Sequence, residues 1–496
     1  NIYDVQKYLQ VHNIAHAVAH PLYSSDEKLT SLHVKKLVLL FRHFEAPNGK
    51  YPALLTDCLQ WTLRHLTSES IFRFAEEVSL EPTHERAWQK VFVGGSDDSG
   101  GLYMGTTWTE TPRTASVKEF LDSIREGRVR AGGSAGSPLR MAHNTYSTAF
   151  SYVKSKLFRN PQDPGSMLLE KVCSRFLEGR DPTEFSLSEK LSFLAQGVAS
   201  GKIFEFARAG QSSFWRELGT YFSQPAVRAA IARVTSGVNE PERRAFLMAD
   251  LISGQLGYRL TSHFLEQMRV GRILESLQMA APILPILLLL SPYLQSFRFP
   301  RRQRLREICH SLCGEVPPQL QNAKRAWFTD TLDEINGVTT TIRKMAAAGL
   351  QAGFDITVVA CRSNPVQYSD IKVQNFQPIG EFELPEYELQ RLSFPPLLQI
   401  LDWIEREKIT QLIISTPGPV GLTALLAAEM LGLPSASIYH TDFPQYVGIL
   451  TDDAFLETLT WNYMHWFYSK QERVFVNCED YRQCWIRRGI PAERLR

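Results

Sequence analysis

The chain has 496 residues, 54 Lys and Arg against 52 Asp and Glu, and is 44% hydrophobic and 21% charged. That length suits about three domains. A net charge of +2 excludes a global electrostatic case for nucleic acid, and the composition is neither collagen-like, disordered nor disulfide-dense. The seven cysteines are an odd number, scattered without a framework, which favours a reducing, cytoplasmic compartment. Cys309-His310-x-x-Cys313 comes nearest to a zinc pattern, but it lacks a second pair and reads as buried or idle thiols. The chain opens at Asn1 rather than Met and closes on a helix stop and a fresh turn, so it reads as cut at both ends.

In residues 1–150 short apolar runs alternate with polar loops. Val34–Phe41 leads into His43-Phe44-Glu45, and Val91–Val93 runs into a loop bearing Asp97 and Asp98. These read as strands ending in polar loops. Val117–Glu126 has helical spacing and stops at Gly127. From 151 to 322 the 3.6 period dominates, over Leu168–Leu177, Ser188–Val198, Phe204–Ala209, Phe214–Phe222, Ala226–Val234, Arg243–Ser253 and Leu260–Gln278. This predicts a helical domain. Its most apolar run, Met279–Leu294, is 16 residues long, carries three prolines, and is followed by Arg298, Arg301, Arg302, Arg304 and Arg306. It is too short to span a bilayer. Either it is a core helix with a solvated basic neighbour, or 279–306 docks peripherally on the inner face of a membrane.

From 323 onward strand and helix alternate. Strands are expected at Arg325–Thr329, Asp355–Ala360, Gln411–Ser415, Ser435–Tyr439 and Arg473–Val476. Helices are expected at Val338–Ala352, Pro396–Glu407, Gly421–Leu431, Ala454–Tyr468 and Asp480–Arg488. Apolar strands alternating with helices predict a doubly wound parallel sheet, in which ligands sit at the carboxyl ends of the strands. Three loops leave such ends. In Asp330–Val338, Gly337 can bring backbone close to a ligand while the helix terminus offers amides to an anion. The second is Ser415–Gly421. The third is Tyr439–Tyr446, where His440 beside Asp442 marks a site. Trp461, Trp466, Phe467 and Tyr468, at helical spacing, read as packing.

Asp330, Asn336-Gly337-Val338-x-x-Thr341, Thr416-Pro417-Gly418-Pro419-Val420-Gly421 and Tyr439-His440-Thr441-Asp442-Phe443-Pro444 together resemble the amino-terminal, acceptor-side half of a retaining GT-B glycosyltransferase of family 4 (glycosyl transferase group 1), over about residues 324–496. The resemblance implies a Rossmann-like domain facing a second one across a cleft. Asn336, Gly337, Val338 and Gly418 would line the diphosphate of a nucleotide-sugar. His440 would approach the reacting centre, and Asp442 would shape the acceptor side. The reaction would use no metal or other cofactor, and the acceptor would be a glycan or lipid-linked. The donor-binding half would begin past Arg496 in a longer chain, or another chain would complete the site; with neither, this half would not be catalytic, and the expected assembly is a homo-oligomer or a complex with a partner chain.

The amino-terminal region carries a weaker resemblance. Ala19-His20-Pro21-Leu22-Tyr23, Phe44-Glu45, Asn48-Gly49 and Gly95-Ser96-Asp97-Asp98-Ser99-Gly100 resemble the later motifs of a PHP (polymerase and histidinol phosphatase) phosphoesterase. His20, Glu45 and Asp97 match its metal ligands, whereas Ser99 stands where a His is expected, so the domain reads as partial and degenerate. His143 reads as buried and hydrogen-bonded rather than as a ligand. The alternatives to glycosyl transfer are thus a metal-dependent phosphoesterase and a non-catalytic scaffold.

Overall fold

The computed structural model describes residues 1–24, 28–157, 164–181, 224–269, 283–299, 301–321, 323–384 and 387–496. They fall into two compact units, one within Asn1–Leu251, Ala280–Pro300 and Arg304–Gln319, the other within Ile252–Met279, Arg301–Gln303 and Leu320–Arg496.

In the first unit strands β1 (His43–Asn48) and β2 (Val91–Gly95) pair in parallel, and β3 (Thr107–Glu110) and β4 (Arg130–Gly133) pair antiparallel. Of the run Val34–Phe41, expected as a strand, Val34–Leu40 instead belongs to the helix Ser31–Leu40, with Phe41 as its extended C-cap. Thr30 caps it, its hydroxyl accepting from the His33 amide (3.4 Å) while the His33 ring accepts from the Thr30 amide (3.2 Å). Leu37–Phe41 is apolar at every position and so shows no helical period, which hid the helix. Val34, Val38 and Leu39 pack with Phe44 of β1, with Leu59 and Leu63 of the helix Ala53–Arg64, and with Phe74 of the helix Ser68–Val78.

The expected helical stretch 151–322 is shared between the two units. Leu168–Leu177, Ala226–Val234 and Arg243–Ser253 lie within the helices Pro164–Leu177, Pro225–Thr235 and Pro241–Arg269. Ser188–Val198, Phe204–Ala209, Phe214–Phe222 and residues 270–278 lie outside the described residues. The apolar run contributes to the helix Ile283–Arg298, in which Tyr293 and Phe297 are buried against Phe246. Among the described residues no helix is long and apolar enough to cross a membrane. Two of the arginines after it turn inward: Arg302 pairs with Glu405 at 3.2 Å, and Arg304 donates to the Leu29 carbonyl. Two of the five charges expected on a basic surface are therefore used inside the protein.

The second unit is built on a six-stranded sheet of β5 (Lys324–Phe328), β6 (Asp355–Cys361), β7 (Val373–Phe376), β10 (Gln411–Ile414), β11 (Ser435–Tyr439) and β12 (Arg473–Val476). All neighbours are parallel, in the order β12-β11-β10-β5-β6-β7. Burial at the centre of the sheet fits the apolar reading of β6, β10 and β11, whereas β7, the half-polar Val373-Gln374-Asn375-Phe376, was not expected. Helices Gly337–Gln351, Leu397–Arg406, Pro419–Leu431, Ala454–Ser469 and Glu479–Arg487 fall within a residue or two of expectation. The antiparallel hairpin β8 (Gly380–Leu384) and β9 (Tyr387–Phe394) was not expected, although Glu381-Phe382-Glu383-Leu384 alternates as an antiparallel strand should.

Candidate active site

In chain order the sheet grows from β5 through β6 to β7 in one direction, then returns to β10 and grows through β11 to β12 in the other. The order reverses between β5 and β10, and in open parallel sheets the crevice at that reversal receives ligands. The loops expected to carry chemistry leave β5, β10 and β11, three adjacent strands whose carboxyl ends share one edge. At about 4.8 Å per strand, the outer two of these ends are about 10 Å apart, within reach of one sugar nucleotide.

The first two loops are locked together by Asp330, which sequence reasoning had placed only as a loop residue. Its carboxylate is buried and accepts from the Thr416 hydroxyl (2.6 Å), the Val420 amide (2.9 Å) and the Gly421 amide (3.4 Å). The Asp330 amide in turn donates to the Thr416 hydroxyl at 2.8 Å. An acid from one strand end thus fills the amino terminus of the helix Pro419–Leu431 on the next, where amides lack intrahelical acceptors. Burial pushes the Asp330 carboxyl up, and these three donors hold it back. Tyr463 braces the same loop by donating to the Pro417 carbonyl at 2.6 Å. A Cβ on Gly418 would sit 2.6 Å from the Asp330 carboxylate, and one on Gly421 would overlap the Thr416 carbonyl oxygen. Gly418 and Gly421 are therefore explained by the clamp itself.

Gly337 is different. Asn336 caps the helix Gly337–Gln351, its side-chain oxygen accepting from the Thr339 amide at 2.8 Å. That leaves the amides of Gly337 and Val338 as first-turn donors the cap does not take. A Cβ on Gly337 would meet nothing within 4 Å, and its backbone has no left-handed φ. Nothing in the fold requires glycine there; the space over it is open. Arg362, at the end of β6, holds the loop from the other side. It donates to the Asp330 carbonyl (2.5 Å) and pairs with Glu334 (3.2 Å), which accepts from the Asn336 amide group at 2.9 Å. The acid nearest the helix terminus is thus neutralised within the loop.

On the third strand end His440 is half-buried, and its Nε2 is buried with no hydrogen-bond partner. Burial lowers its pKa, so the imidazole is neutral near pH 7. An unpaired buried nitrogen costs free energy unless a ligand satisfies it. Asp442 caps the helix Phe443–Thr451, accepting weakly from the Gln445 amide at 3.5 Å. Of the aromatic set, Phe467 and Tyr468 are core, Trp466 is exposed, and Trp461 lies under the Arg488 guanidinium at 3.4 Å.

The first unit gathers a second polar cluster. Glu45 accepts from the His20 amide (3.0 Å) and from Asn48 Nδ2 (2.9 Å), which also lies 3.3 Å from Asp97. The orientation of the Asn48 amide is fixed, because its Oδ1 accepts from the Lys50 (2.9 Å) and Tyr51 (3.1 Å) amides. Its N–H donors therefore face the two carboxylates. The Lys50 ammonium, 3.9 Å from Asp97, adds a fixed positive charge. His20 reaches Glu45 through its backbone, while its ring packs edge-on to Tyr51. Ser99 donates to Asn144 at 3.0 Å. Glu45 Oε2 and Asp97 Oδ2 are thus engaged by protein donors, and the Lys50 ammonium lies beside Asp97, where it opposes a second cation. Among the described residues no group of three or more His, Cys, Asp or Glu side chains is arranged to hold one. His143 is buried, with Tyr103 Oη 2.5 Å from its Nδ1.

The six-stranded parallel sheet and its reversal make the carboxyl-terminal unit Rossmann-like. Residues 335–496 match the family model described as Glycosyltransferase Family 4. No curated protein matches the chain.

Proposed function

We propose that the second unit is the acceptor-side half of a retaining GT-B glycosyltransferase, acting on a nucleotide-sugar and a glycan or lipid-linked acceptor. The observation that carries this reading is the pairing, on one sheet edge, of an open helix terminus at Gly337 with a neutral, unpartnered imidazole at His440. The departing diphosphate is a dianion whose charge grows as the glycosidic bond breaks. The amides of Gly337 and Val338 stabilise it in a preorganised way, needing no reorganisation as the bond lengthens. His440 Nε2 takes a hydrogen bond from, or gives one to, the donor sugar, which satisfies its orphaned nitrogen. Asp442 shapes the acceptor side from the start of its helix.

The test is sugar transfer by the full-length protein from a panel of nucleotide-sugars, with the anomeric configuration of the product read by NMR. Transfer with retention supports the proposal. Transfer with inversion, or wild-type rates in both Gly337→Trp and His440→Ala, overturns it. For the first unit we propose a PHP-like domain without metal chemistry. The closed Asn48–Glu45–Asp97–Lys50 cluster supports that reading. Phosphomonoester hydrolysis that needs a divalent metal and is lost in Asp97→Ala would refute it.

A further inference from the structure

The first unit also brings together three cysteines that the sequence leaves scattered. Cys58 and Thr62 lie one turn apart on the buried face of the helix Ala53–Arg64. Cys309 and Cys313 lie one turn apart on the helix Arg302–Cys313. The two helices meet rung on rung: the Cys58 thiol is hydrogen-bonded to Cys309, and Cys313 Sγ donates to the Thr62 carbonyl at 3.2 Å. Cys58 and Cys309 are 0% and 1% exposed. Around them Leu59, Leu63, Ile308 and Leu312 belong to one apolar cluster, so both helices hold their positions.

We propose that Cys58 and Cys309 form a redox-modification site, a reversible disulfide made by exchange with a low-molecular-weight disulfide and stapling helix Ala53–Arg64 to helix Arg302–Cys313. The Cys309 thiolate attacks one sulfur of the oxidant and expels one thiolate, giving a mixed disulfide. Cys58 then loses its proton to solvent, and its sulfur attacks Cys309 Sγ, closing the bond and expelling the second small thiol. Two protein thiols lose two electrons and two protons, and one oxidant disulfide becomes two thiols. Cys309 is the first attacker because the hydrogen bond from Cys58 lowers its pKa. Cys313 is the wrong partner: burial, then the neighbouring Cys309, push its thiol up to about 12, and its S–H already serves Thr62. Access to the buried pair comes through local opening of the helices, so oxidation is expected to be slow and to accelerate in mild denaturant.

The folded full chain is incubated with oxidised glutathione, blocked with iodoacetamide under denaturing conditions, and mapped by peptide mass spectrometry without reduction. The expected product is a Cys58–Cys309 linked peptide, an intact mass lower by about 2 Da, and a melting temperature raised by several degrees that dithiothreitol reverses. Cys313→Ala retains the link and Cys309→Ala abolishes it. The wild-type map alone decides the matter if a variant fails to fold. Full alkylation of Cys58 and Cys309 after prolonged oxidation in mild denaturant would overturn the proposal. So would a Cys58–Cys313 link, or glutathione found only on exposed Cys478.

Discussion

Two glycines on one sheet edge separate a ligand-driven requirement from a fold-driven one. Gly337 stands at the first position of its helix, with a helical backbone and nothing within 4 Å of where a Cβ would be. Gly337→Ala removes freedom from the unfolded chain and touches nothing in the folded one, so it should stabilise by about 0.5 kcal/mol. For a unit of this size that is a rise of ~1–2 °C in melting temperature. Gly337→Trp should stay within ~0.5 kcal/mol of wild type, since its ring projects into open space. Gly421→Ala meets the Thr416 carbonyl oxygen and should cost about 2–3 kcal/mol. Transfer activity should rank differently from stability. The Trp ring would cover the first-turn amides, and a diphosphate displaced by about 1 Å costs ~100-fold in rate, so Gly337→Trp should lose at least that much while remaining folded. The checks are a urea melt and nucleotide-sugar transfer on the same preparations. Wild-type transfer by folded Gly337→Trp would refute the assignment, and marked destabilisation by Gly337→Ala would show that the fold, not a ligand, needs this glycine.

Asp330→Ala strands three donors of the clamp and should cost about 3 kcal/mol in a urea melt, about 1 for each; Asp330→Asn, which keeps an acceptor for the helix amides, should lose about a third of that. His440→Gln breaks no hydrogen bond of Nε2, so stability should hold within ~0.5 kcal/mol while transfer falls ~100-fold; equal losses in both would mark a structural role. Because burial lowers the His440 pKa, the rate should be flat above pH 6.5 and fall only in more acid solution. His43 and His84 are held neutral chiefly by burial, with folded values lowered from 6.5 to about 4. The unfolded chain therefore takes up protons first on acidification, and stability is lost as pH falls from 6.5 towards 4. Melting temperatures at pH 7.5 and 4.5 should differ, and the gap should narrow in His84→Gln; a flat profile contradicts the argument.

The alternation of apolar runs with helical periods was enough to determine a parallel α/β unit at the carboxyl-terminal end, because strands buried on both faces must be apolar throughout and the helices covering them must carry the 3.6 period. The order of loops was legible for the same reason: each followed a strand. Tertiary structure decided what those loops are for. Asn-Gly at 336–337 and Pro-Gly-Pro at 417–419 look alike as turns, yet Gly418 is dictated by a carboxylate arriving from another strand, while Gly337 is dictated by nothing in the protein. Likewise Glu45 and Asp97 look like metal ligands until two backbone amides fix Asn48 and turn its own donors onto them. Val34–Phe41 did not reveal itself as a helix because Leu37–Phe41 is apolar at every position and so carries no period. Nor could the chain announce that Cys58 meets Cys309, since a contact between residues so distant along it exists only once the helices that carry them have packed.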